Sequence, residues 1–597
     1  MLLTRREFLR SSAVSLCAMA LPLGVRSIAR AAASAMPAMN YGEAFALLSR
    51  LGFGPTISEC ASLIQMGLAN YLEKQLHPDD AQDSIASQRL AAAVLHIEYK
   101  ANSQPDKKKT AAPPKAEEEG FFGRLLGDHD KPETPMVSYA ATNEDRPLTS
   151  LNKTVEELWP LSDNDNFLDG KERRRPAEEV RAATWIRAVH SQWQLRELMV
   201  DFWHNHFNVN AFSDQKISAT FPLYDAIMRR QCFGNFRAFL EEVAQSPAML
   251  FYLNNAKSHA SPANENYARE LFELHTLGAD HYYNSLYNRW REVPGATEGR
   301  PIGYIDQDVY EAARAFTGWT IEDGSNTGRG TIFPKTGRFV YFDGWHDNYQ
   351  KRVLGTEFDP NAAPMEDGRK VLDLIANHPG TAMFVCTKLC RRLVSDTPPP
   401  ALVKRAADAW LGNAKAPDQI AQVLRTIILA PEFAAPDAVK IKRPFEYAVS
   451  FLRATGAEVL PGDSLFGTLT NAGQRQFEWP TPTGHPDTAD FWLNSNSTLS
   501  GWNLAVQMCN PGAKVAVVDL AAQTPAPVKT SAQLITYWFE RMTGRTPTAA
   551  TQEKLMAFLP HPENPAFTPD IQNPNFRGPL VALVTSIAML PEFAVRG

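Results

Sequence analysis

Apolar residues recur at helical spacing along most of the chain. The pattern is clearest from 177 to 207, where the apolar positions are Val180, Ala183, Ile186, Val189, Leu195, Leu198, Met199 and Phe202. Residues three or four positions apart lie on one face of a helix. The same period predicts helices within 41–76, 223–253, 306–316, 365–376, 381–394, 401–411 and 420–429. The sequence therefore predicts a mainly α protein with a large, bundle-like arrangement of helices.

One short stretch near 330–345 has a strand pattern instead. Ile332-Phe333 and the segment 338–342 are rich in residues that favour strands, and Lys335-Thr336-Gly337 separates them. Such a sequence is typical of a turn between paired strands. We expect a small β-hairpin at this point of the otherwise helical chain.

The N-terminus has the features of an export signal. Residues 4–10 (TRREFLR) precede a weakly apolar stretch, and the small residues that follow offer cleavage sites after Ala31, Ala33 or Ala35. The paired arginines followed by Phe-Leu are typical of a signal that the twin-arginine translocase reads as an address. An ordinary general-secretion signal is the alternative. We expect residues 1–35 to be a twin-arginine signal peptide and the mature protein to be periplasmic, extracellular or part of the cell envelope.

Composition divides the remaining chain into four regions. Residues 101–150 contain a lysine run, a Pro-Pro pair and a glutamate run, a low-complexity composition that predicts a disordered insertion. We expect an N-terminal helical region over 36–100, a central helical domain over 151–400 that holds the candidate site, and a C-terminal helical region over 401–597.

Charge and cysteine content exclude several classes of protein. The formal net charge is −6 and the pI is near 6.2, so the sequence predicts no nucleic-acid partner. Beyond the N-terminus no apolar run approaches the roughly 20 residues that span a bilayer. The five cysteines after the signal are an odd number, and folding before export argues against a disulfide framework.

The first concentration of polar groups is the segment 201–208 (DFWHNHFN). Asp201 and His204 are three residues apart, a helical spacing that brings a carboxylate and an imidazole to one metal ion or one proton. His206 falls on the apolar side of the same helix. The His-Asn-His letters resemble a nuclease motif, but that motif needs a ββα unit with basic surroundings, and this segment is helical.

The second concentration is the segment 264–278 (NENYARELFELHTLG). Glu270 and Glu273 share one face of the predicted helix. His275 projects about 140° away from Glu270 in a regular helix, so it joins that face only if the helix is irregular. The two carboxylates are candidate metal ligands or an acid–base pair. The alternative is a buried polar network that locks helices together.

The third concentration is His346-Asp347, which follows Trp345 in a predicted loop. A histidine beside a carboxylate can orient a reacting group, although the same pair is also common in turns.

The candidate site combines these segments. The candidate catalytic residues are Glu270, Glu273, His346 and Asp347. The candidate metal ligands are His204, His206, Glu270 and His275. Asn208 and Arg269 are candidates for binding a cofactor. Imidazole and carboxylate groups suit a divalent metal ion, which is the cofactor that this set suggests.

Taken together, the segments resemble the bacterial domain-of-unknown-function 1800 family. Its most specific signature matches 264–278, and similar stretches lie at 41–79, 202–208, 308–319, 346–355 and 473–508. The resemblance covers about residues 40–597. It implies an exported protein, with an exported phosphatase- or sulfatase-like protein as a partner, but it implies no reaction. The chain departs from the family pattern in the 101–150 insertion and in about twenty extra residues at 282–303.

Two functions follow from these observations. The first is an exported enzyme, a metal-dependent or acid–base hydrolase. The second is a non-catalytic helical scaffold that serves an envelope partner. Convergence of the polar segments on one cleft favours the enzyme. Neutralisation of each charged group by its own neighbour in a closed core favours the scaffold.

Overall fold

The computed structural model describes residues 39–105, 136–328, 330–435 and 439–596. The predicted signal peptide over 1–35 lies outside these residues, as does the middle of the predicted insertion. The fold class is confirmed, since helices dominate and the strands form only two-stranded sheets in the described part of the chain. None of the described helices combines the length and apolar character that a bilayer span requires.

The N-terminal region begins with helices whose ends are set by side-chain caps. Asn40 and Thr56 each accept a hydrogen bond from the backbone of a glutamate three residues on, and Glu43 and Glu59 bond back to the cap residue. These reciprocal bonds satisfy amide groups that a helix start otherwise leaves free. The helices of this region are α1 (Tyr41–Leu51), α2 (Ile57–Met66), α3 (Leu68–Leu76) and α4 (Ser84–Ala92).

Paired strands occupy both ends of the predicted insertion, so the prediction of disorder over 101–150 is wrong there. Strand β1 (Val94–Tyr99) pairs with β4 (Thr142–Pro147), and β2 (Asn102–Pro105) pairs with β3 (Met136–Tyr139), in each case antiparallel. Alternate side chains of β1 are buried, and Arg146 of β4 forms a salt bridge to Glu172 at 2.6 Å. Composition did not reveal this order because strand pairing and one ion pair supply it.

The central region is a set of closely packed helices around the segments singled out above. The predicted helix over 177–207 is a pair that breaks at Ser191, and 223–253 is covered by parts of three helices. The helices of this region are α5 (Val155–Leu158), α6 (Gly170–His190), α7 (Gln194–His206), α8 (Gln215–Gln231), α9 (Phe236–Gln245), α10 (Pro247–Tyr252), α11 (Asn266–Glu270), a π-helix (Leu271–His275), α12 (Asp306–Ala315), α13 (Glu366–Ala376) and α14 (Pro379–Leu393).

The hairpin near 330–345 exists with a different partner from the predicted one. Strand β6 (Lys335–Tyr341) pairs with β5 (Trp319–Asp323), and Ile332-Phe333 lies outside the strands. Lys335-Thr336-Gly337 begins β6 instead of forming a turn. The pairing with β5 buries Trp319 and Ile321 in the core. The local sequence around 335–337 does not show that this burial favours β5 as the partner strand. A second small sheet follows from β7 (Lys351–Val353) and β8 (Thr356–Phe358).

The C-terminal region packs around one fully buried helix. Every residue of this helix, Pro444–Thr455, is buried, including the charged Glu446 and Arg453. The helices here are α15 (Pro400–Gly412), α16 (Gln419–Ile428), α17 (Pro444–Thr455), α18 (Asp463–Asn471), α19 (Ala489–Trp492), α20 (Ser495–Cys509), α21 (Ser531–Thr543), α22 (Ala549–Met556), α23 (Arg577–Ala588) and α24 (Pro591–Ala594). The remaining strands are β9 (Lys440–Ile441), β10 (Glu458–Val459), β11 (Ala516–Val517) and β12 (Val595–Arg596).

A single apolar core joins these regions. One cluster of buried side chains runs from Ala44 to Phe593 through the described part of the chain. The C-terminal strand β12 pairs with β9, which brings Arg596 into the interior beside α17. The division into separate regions at residue 400 stays a prediction.

Candidate functional site

The segment 264–278 is an α-helix that continues as a π-helix. Helix α11 ends at Glu270, and the π-helix covers Leu271–His275. Single π turns inside α-helices are frequent at functional sites. Glu270 and Glu273 are partly exposed. Burial raises the pKa of Glu270, and the neighbouring Glu273 carboxylate adds to the shift.

His275 lies on the buried side of this segment, away from the two carboxylates. Its side chain is 1% exposed, and neither ring nitrogen has a hydrogen-bond partner. Burial lowers the pKa of His275 to about 3, and Lys388 adds to the effect. The irregular helix therefore directs this imidazole into the core in its neutral form.

His206 meets His275 across the interior. Its Nε2 lies 3.1 Å from the His275 carbonyl oxygen, and the two ring centroids are 6.2 Å apart. The Nδ1 atom of His206 is buried and has no hydrogen-bond partner. Burial lowers the pKa of His206 well below its ordinary value, and the positive charge of Lys388 contributes. The structure thus brings two of the four predicted metal ligands together, both as neutral imidazoles.

His204 points to a separate, closed ion network. Its Nε2 lies 3.0 Å from Asp225. Arg229 donates to the same carboxylate at 3.2 Å and to Glu197 at 2.6 Å. Burial opposes ionisation of Asp225, but Arg229, His204 and Arg187 hold its pKa below the ordinary value. The Nε2 atom of His204 is therefore taken up by this network.

His346 and Asp347 are also neutralised by their own neighbours. His346 Nε2 lies 3.2 Å from Asp367, and Lys351 donates to that carboxylate at 2.6 Å. Arg314 donates to both oxygens of Asp347, at 2.8 and 3.0 Å. The loop is a polar network that fixes 346–351 to helices α12 and α13.

The predicted metal set consequently does not form. His204 is bound to Asp225. The His275 side chain lies on the buried side of the π-helix, whereas Glu270 lies on the exposed side. The residues that the structure describes contain no group of three or more His, Cys, Asp or Glu side chains placed to hold a metal ion. The spacing of residues along a helix predicts which side chains share a face. It does not predict which other helix packs against that face.

The two predicted cofactor-binding residues have structural partners. Arg269 forms a salt bridge to Glu265 at 3.1 Å and donates to the Tyr282 hydroxyl. Asn208 donates to the carbonyl oxygens of Trp479 at 3.2 Å and Thr481 at 2.7 Å. Asn208 therefore ties the end of α7 to a loop about 270 residues further along the chain.

A second asparagine fixes the same loop. The Asn205 side chain donates to the His485 carbonyl at 2.9 Å and accepts from the His485 amide at 2.7 Å. Gly484 has a φ of +70°, and a Cβ there would lie 2.2 Å from the Asn205 carbonyl oxygen. Glycine is required at this close approach. The hydrogen bonds of Asn205 and Asn208 and the close approach at Gly484 thus hold the loop 479–487 against α7.

Between α7, α14 and this loop lies a cavity that we call the Lys388 pocket. Its volume is about 250 Å³. The lining residues are Phe202, Asn205 and His206 of α7, Lys388 and Arg391 of α14, and Trp479, Thr483, Gly484, His485, Pro486 and Asp487 of the loop. Of the residues predicted from sequence, only His206 lines it. Lys388, His485 and Asp487 were missed.

Lys388 is the least satisfied charge in the pocket. It is partly exposed, and no hydrogen bond or salt bridge joins its ammonium group to the described residues. The Nζ atom lies 5.4 Å from the centroid of the Phe384 ring. Burial lowers the pKa of Lys388 to about 8, with Asp487 opposing the shift and Arg391 adding to it. A lysine with this pKa supplies both an amine and an ammonium near neutral pH.

His485 supplies a second neutral imidazole to the pocket. Its Nε2 atom is buried without a hydrogen-bond partner. Burial lowers the pKa of His485 to about 4, and the nearby Arg443 guanidinium contributes. The Trp479 ring lies against this imidazole, with centroids 4.6 Å apart. The pocket is therefore lined by a lysine without an ionic partner and by two histidines, each of which keeps one buried ring nitrogen without a hydrogen-bond partner.

A buried ion cluster lies beside the pocket, and we call it the arginine cluster. Glu446 of α17 is bonded by Arg392, Arg443 and Arg596, while Asp201 accepts from Arg392 at 3.1 Å and from Arg443 at 2.5 Å. Asp487 faces the same cluster, 3.6 Å from Arg392 and 3.5 Å from Lys440. The Asp201 predicted to work with His204 thus belongs to a different set of charges.

The extra residues at 282–303 line another cavity. Arg300, Pro301 and Ile302 form one wall of a space of about 680 Å³ whose other side includes His281 and His378. His378 Nε2 lies 2.7 Å from the Pro301 carbonyl oxygen. This loop is not part of the lining of the Lys388 pocket.

Comparison with known proteins gives a family but no close relative. The search of curated proteins finds no match, and neither does the search of solved structures. A family model described as protein of unknown function (DUF1800) matches residues 46–595. The match spans nearly the whole chain and includes every wall of the Lys388 pocket. The protein therefore belongs to the domain-of-unknown-function 1800 family.

Proposed function

We propose that the protein is an exported enzyme of the cell envelope that performs acid–base chemistry, of the hydrolytic kind, in the Lys388 pocket. The observation that carries this proposal is a lysine without an ionic partner, in a cavity of about 250 Å³, beside two imidazoles with free ring nitrogens. Unsatisfied buried polar groups and ionisable groups with shifted pKa values in the residues that line a cavity are typical of sites that act on a ligand. The export part of the proposal rests on the twin-arginine pattern at 4–10.

The chemistry follows from the pKa of Lys388. With a pKa of about 8, roughly a tenth of the lysine is the free amine at pH 7. The amine takes a proton from an attacking water, and the resulting ammonium returns it to the leaving group. His206 and His485 stay neutral in this pH range, and a neutral imidazole can donate or accept hydrogen bonds. The rate is therefore expected to rise as the pH approaches 8 and Lys388 loses its proton.

A metal-dependent form of this enzyme has less support. Its predicted ligands lie in different networks, as described above, whereas the acid–base form needs only groups that line one pocket. A divalent ion stays a proposal that the described geometry does not favour.

A scaffold function is the second candidate, and the closed networks favour it. His204 with Asp225, and His346 with Asp367, meet the criterion of charged groups neutralised in a core. In this proposal the protein serves an exported phosphatase- or sulfatase-like partner. The scaffold gives no role to an unpartnered lysine, which is why the enzyme is the better-supported proposal.

A chromogenic screen tests the enzyme. The mature protein, purified from an exporting host, is offered p-nitrophenyl phosphate, sulfate, acetate and glycosides, with Lys388→Met and Lys404→Met in parallel. Lys404 is a matched control because its exposed side chain forms a salt bridge to Asp408 one helical turn away. We expect turnover that falls at least a hundredfold in Lys388→Met and stays unchanged in Lys404→Met. Equal turnover in Lys388→Met, or no turnover of any substrate by the wild type, would count against the enzyme.

A further inference from the structure

The Lys388 pocket carries more positive than negative charge. Its lining contains two cations, Lys388 and Arg391, and one carboxylate, Asp487. Arg391 donates its Nε–H to the Asp396 carbonyl oxygen at 3.2 Å, and no carboxylate within the described ranges pairs with its guanidinium. Asp487 is turned toward Arg392 and Lys440. Its charge is therefore already shared with the arginine cluster.

The arginine cluster does not supply the missing negative charge. Its cations Arg392, Arg443, Arg596 and Lys440 are matched by the carboxylates Asp201, Glu446, Asp487 and Asp396. These four cations and four carboxylates pair among themselves, so the cluster leaves no carboxylate over for the pocket. Lys388 and Arg391, one helical turn apart on α14, form no salt bridge to a described carboxylate, and Asp487 acts on Lys388 only at longer range.

The imidazoles of the pocket do not change this balance. His206 and His485 are neutral near pH 7 because burial and neighbouring cations lower the pKa of each ring. Their free nitrogens can donate or accept hydrogen bonds without adding charge. Two like charges held together in a partly buried site are unfavourable unless a ligand of opposite charge completes it.

We propose that the Lys388 pocket binds a small ligand through a single oxyanion group, a carboxylate, phosphate or sulfate, seated between Lys388 and Arg391. This inference concerns the same pocket as the proposed function and names its substrate class, but it requires binding alone and not turnover. Arg391 offers planar donors and Lys388 a point charge, a combination that suits an oxyanion.

The pocket also limits the size of the ligand. A volume of about 250 Å³ is below the range of about 300 to 1,000 Å³ that drug-sized ligands occupy. The Phe202 and Trp479 rings form apolar walls. The oxyanion therefore belongs to a compact molecule whose body can lie against a flat ring.

Binding of an anion changes the titration of Lys388. The groups that face this lysine are His206 of α7, His275 of the π-helix, Asp487 of the loop and Arg391 of its own helix. A bound anion favours the protonated form and so raises the pKa of Lys388. By linkage, binding takes up protons near pH 8 and weakens as the pH rises above the pKa of the free lysine.

Calorimetric titration with defined anions tests the proposal. Inorganic phosphate, sulfate and benzoate are titrated into the mature protein at pH 7.0 and pH 9.5. We expect saturable binding of at least one anion at pH 7.0, weakened about tenfold at pH 9.5. The phosphate and sulfate arms, compared with the benzoate arm, show whether the oxyanion is a tetrahedral ester-type group or a carboxylate.

Variants separate the pocket from the rest of the surface. Lys388→Met is expected to weaken binding at least tenfold, while Lys388→Arg retains most of it and Lys404→Met is unchanged. Arg391→Gln, which leaves Lys388 in place, is also expected to weaken anion binding. Thermal melting of each variant shows whether it is folded. Wild-type protein that binds none of the three anions, or Lys388→Met that binds as tightly as wild type, would overturn the inference.

The two proposals fail separately. Anion binding without turnover of any chromogenic substrate refutes the enzyme and leaves the oxyanion site. Turnover that depends on Lys388, together with no anion binding, refutes the oxyanion site and leaves the enzyme.

Discussion

The Lys388 pocket and the loop at 346–351 contain the same kinds of groups in opposite states. Both place a histidine, a lysine and an aspartate in a partly or fully buried setting. In the loop, Lys351 and His346 share the Asp367 carboxylate at 2.6 and 3.2 Å. In the pocket, Lys388 has no such partner, and His206 and His485 each keep a ring nitrogen unbonded.

The difference teaches how to separate structural from functional polar groups. A buried charge with a partner is part of the core and is costly to disturb. A charged side chain that has a fixed position but no partner within the protein is available to bind a ligand. Residue type alone does not make this distinction, since His346-Asp347 looked as promising in the sequence as any group of the pocket.

The largest expected effect is at the arginine cluster. Glu446→Gln removes the carboxylate that Arg392, Arg443 and Arg596 share. Three buried guanidinium groups are then left short of negative charge, so we expect a loss of about 3 to 5 kcal/mol in the free energy of unfolding. Urea denaturation measures it, with the exposed Asp408→Asn as control. A loss below about 1 kcal/mol would mean that the cluster is not a structural lock.

The loop at 346–351 is expected to respond next. Asp367→Asn deprives the fully buried Lys351 and the His346 imidazole of their shared carboxylate, at a cost of about 2 to 3 kcal/mol. Hydrogen bonds from His346 and Lys351 outweigh burial and lower the pKa of Asp367 below 3.8. Its stabilising contribution is therefore present above pH 4 and is lost as the pH falls through the folded-state pKa. Wild type and variant should differ less below pH 3 than at pH 7.

Removal of the pocket lysine is expected to have the opposite sign. The pKa of Lys388 is about 8 in the folded protein, against an ordinary value of 10.5. Between these values the unfolded chain binds the extra proton, so this group makes stability rise with pH across that interval and is destabilising below it. Lys388→Met should stabilise the protein by about 1 to 2 kcal/mol at pH 7, with a smaller gain at pH 10. Destabilisation at pH 7 would show that the lysine has a structural role.

The smallest expected effect concerns Asn208, which was predicted to bind a cofactor. Asn208→Ala removes the donors to Trp479 and Thr481 without adding a charge. We expect the loop 479–487 to loosen and the dissociation constant for the pocket anion to rise about three- to tenfold. Calorimetry measures this change. Complete loss of binding with an unchanged melting temperature would indicate direct contact between Asn208 and the ligand.

Much of the fold was predictable from the sequence because helix periodicity is a local signal. Helices within 41–76 and over 177–207 were expected and are present, the second as a pair. The partner of β6 and the strands at the ends of the insertion were not, because strand pairing depends on residues far apart or on partners elsewhere in the fold.

The site was less predictable for the same reason. Periodicity identified His206, but the pocket is completed by Lys388 and His485, which lie about 180 and 280 positions further along the chain. The π-helix that turns His275 into the core has no recognised sequence signal. Lys388 itself lies in the helix predicted at 381–394, where no neighbouring motif marks it as a candidate.

The decisive measurement is the pKa of Lys388 in the folded protein. Brief acetylation of the folded protein across pH 6 to 11, read residue by residue by mass spectrometry, gives the titration midpoint of this lysine. We expect a midpoint near 8, displaced upward when the pocket is saturated with the anion that binds best. A midpoint at or above the ordinary lysine value of 10.5, unchanged by any anion, would contradict it.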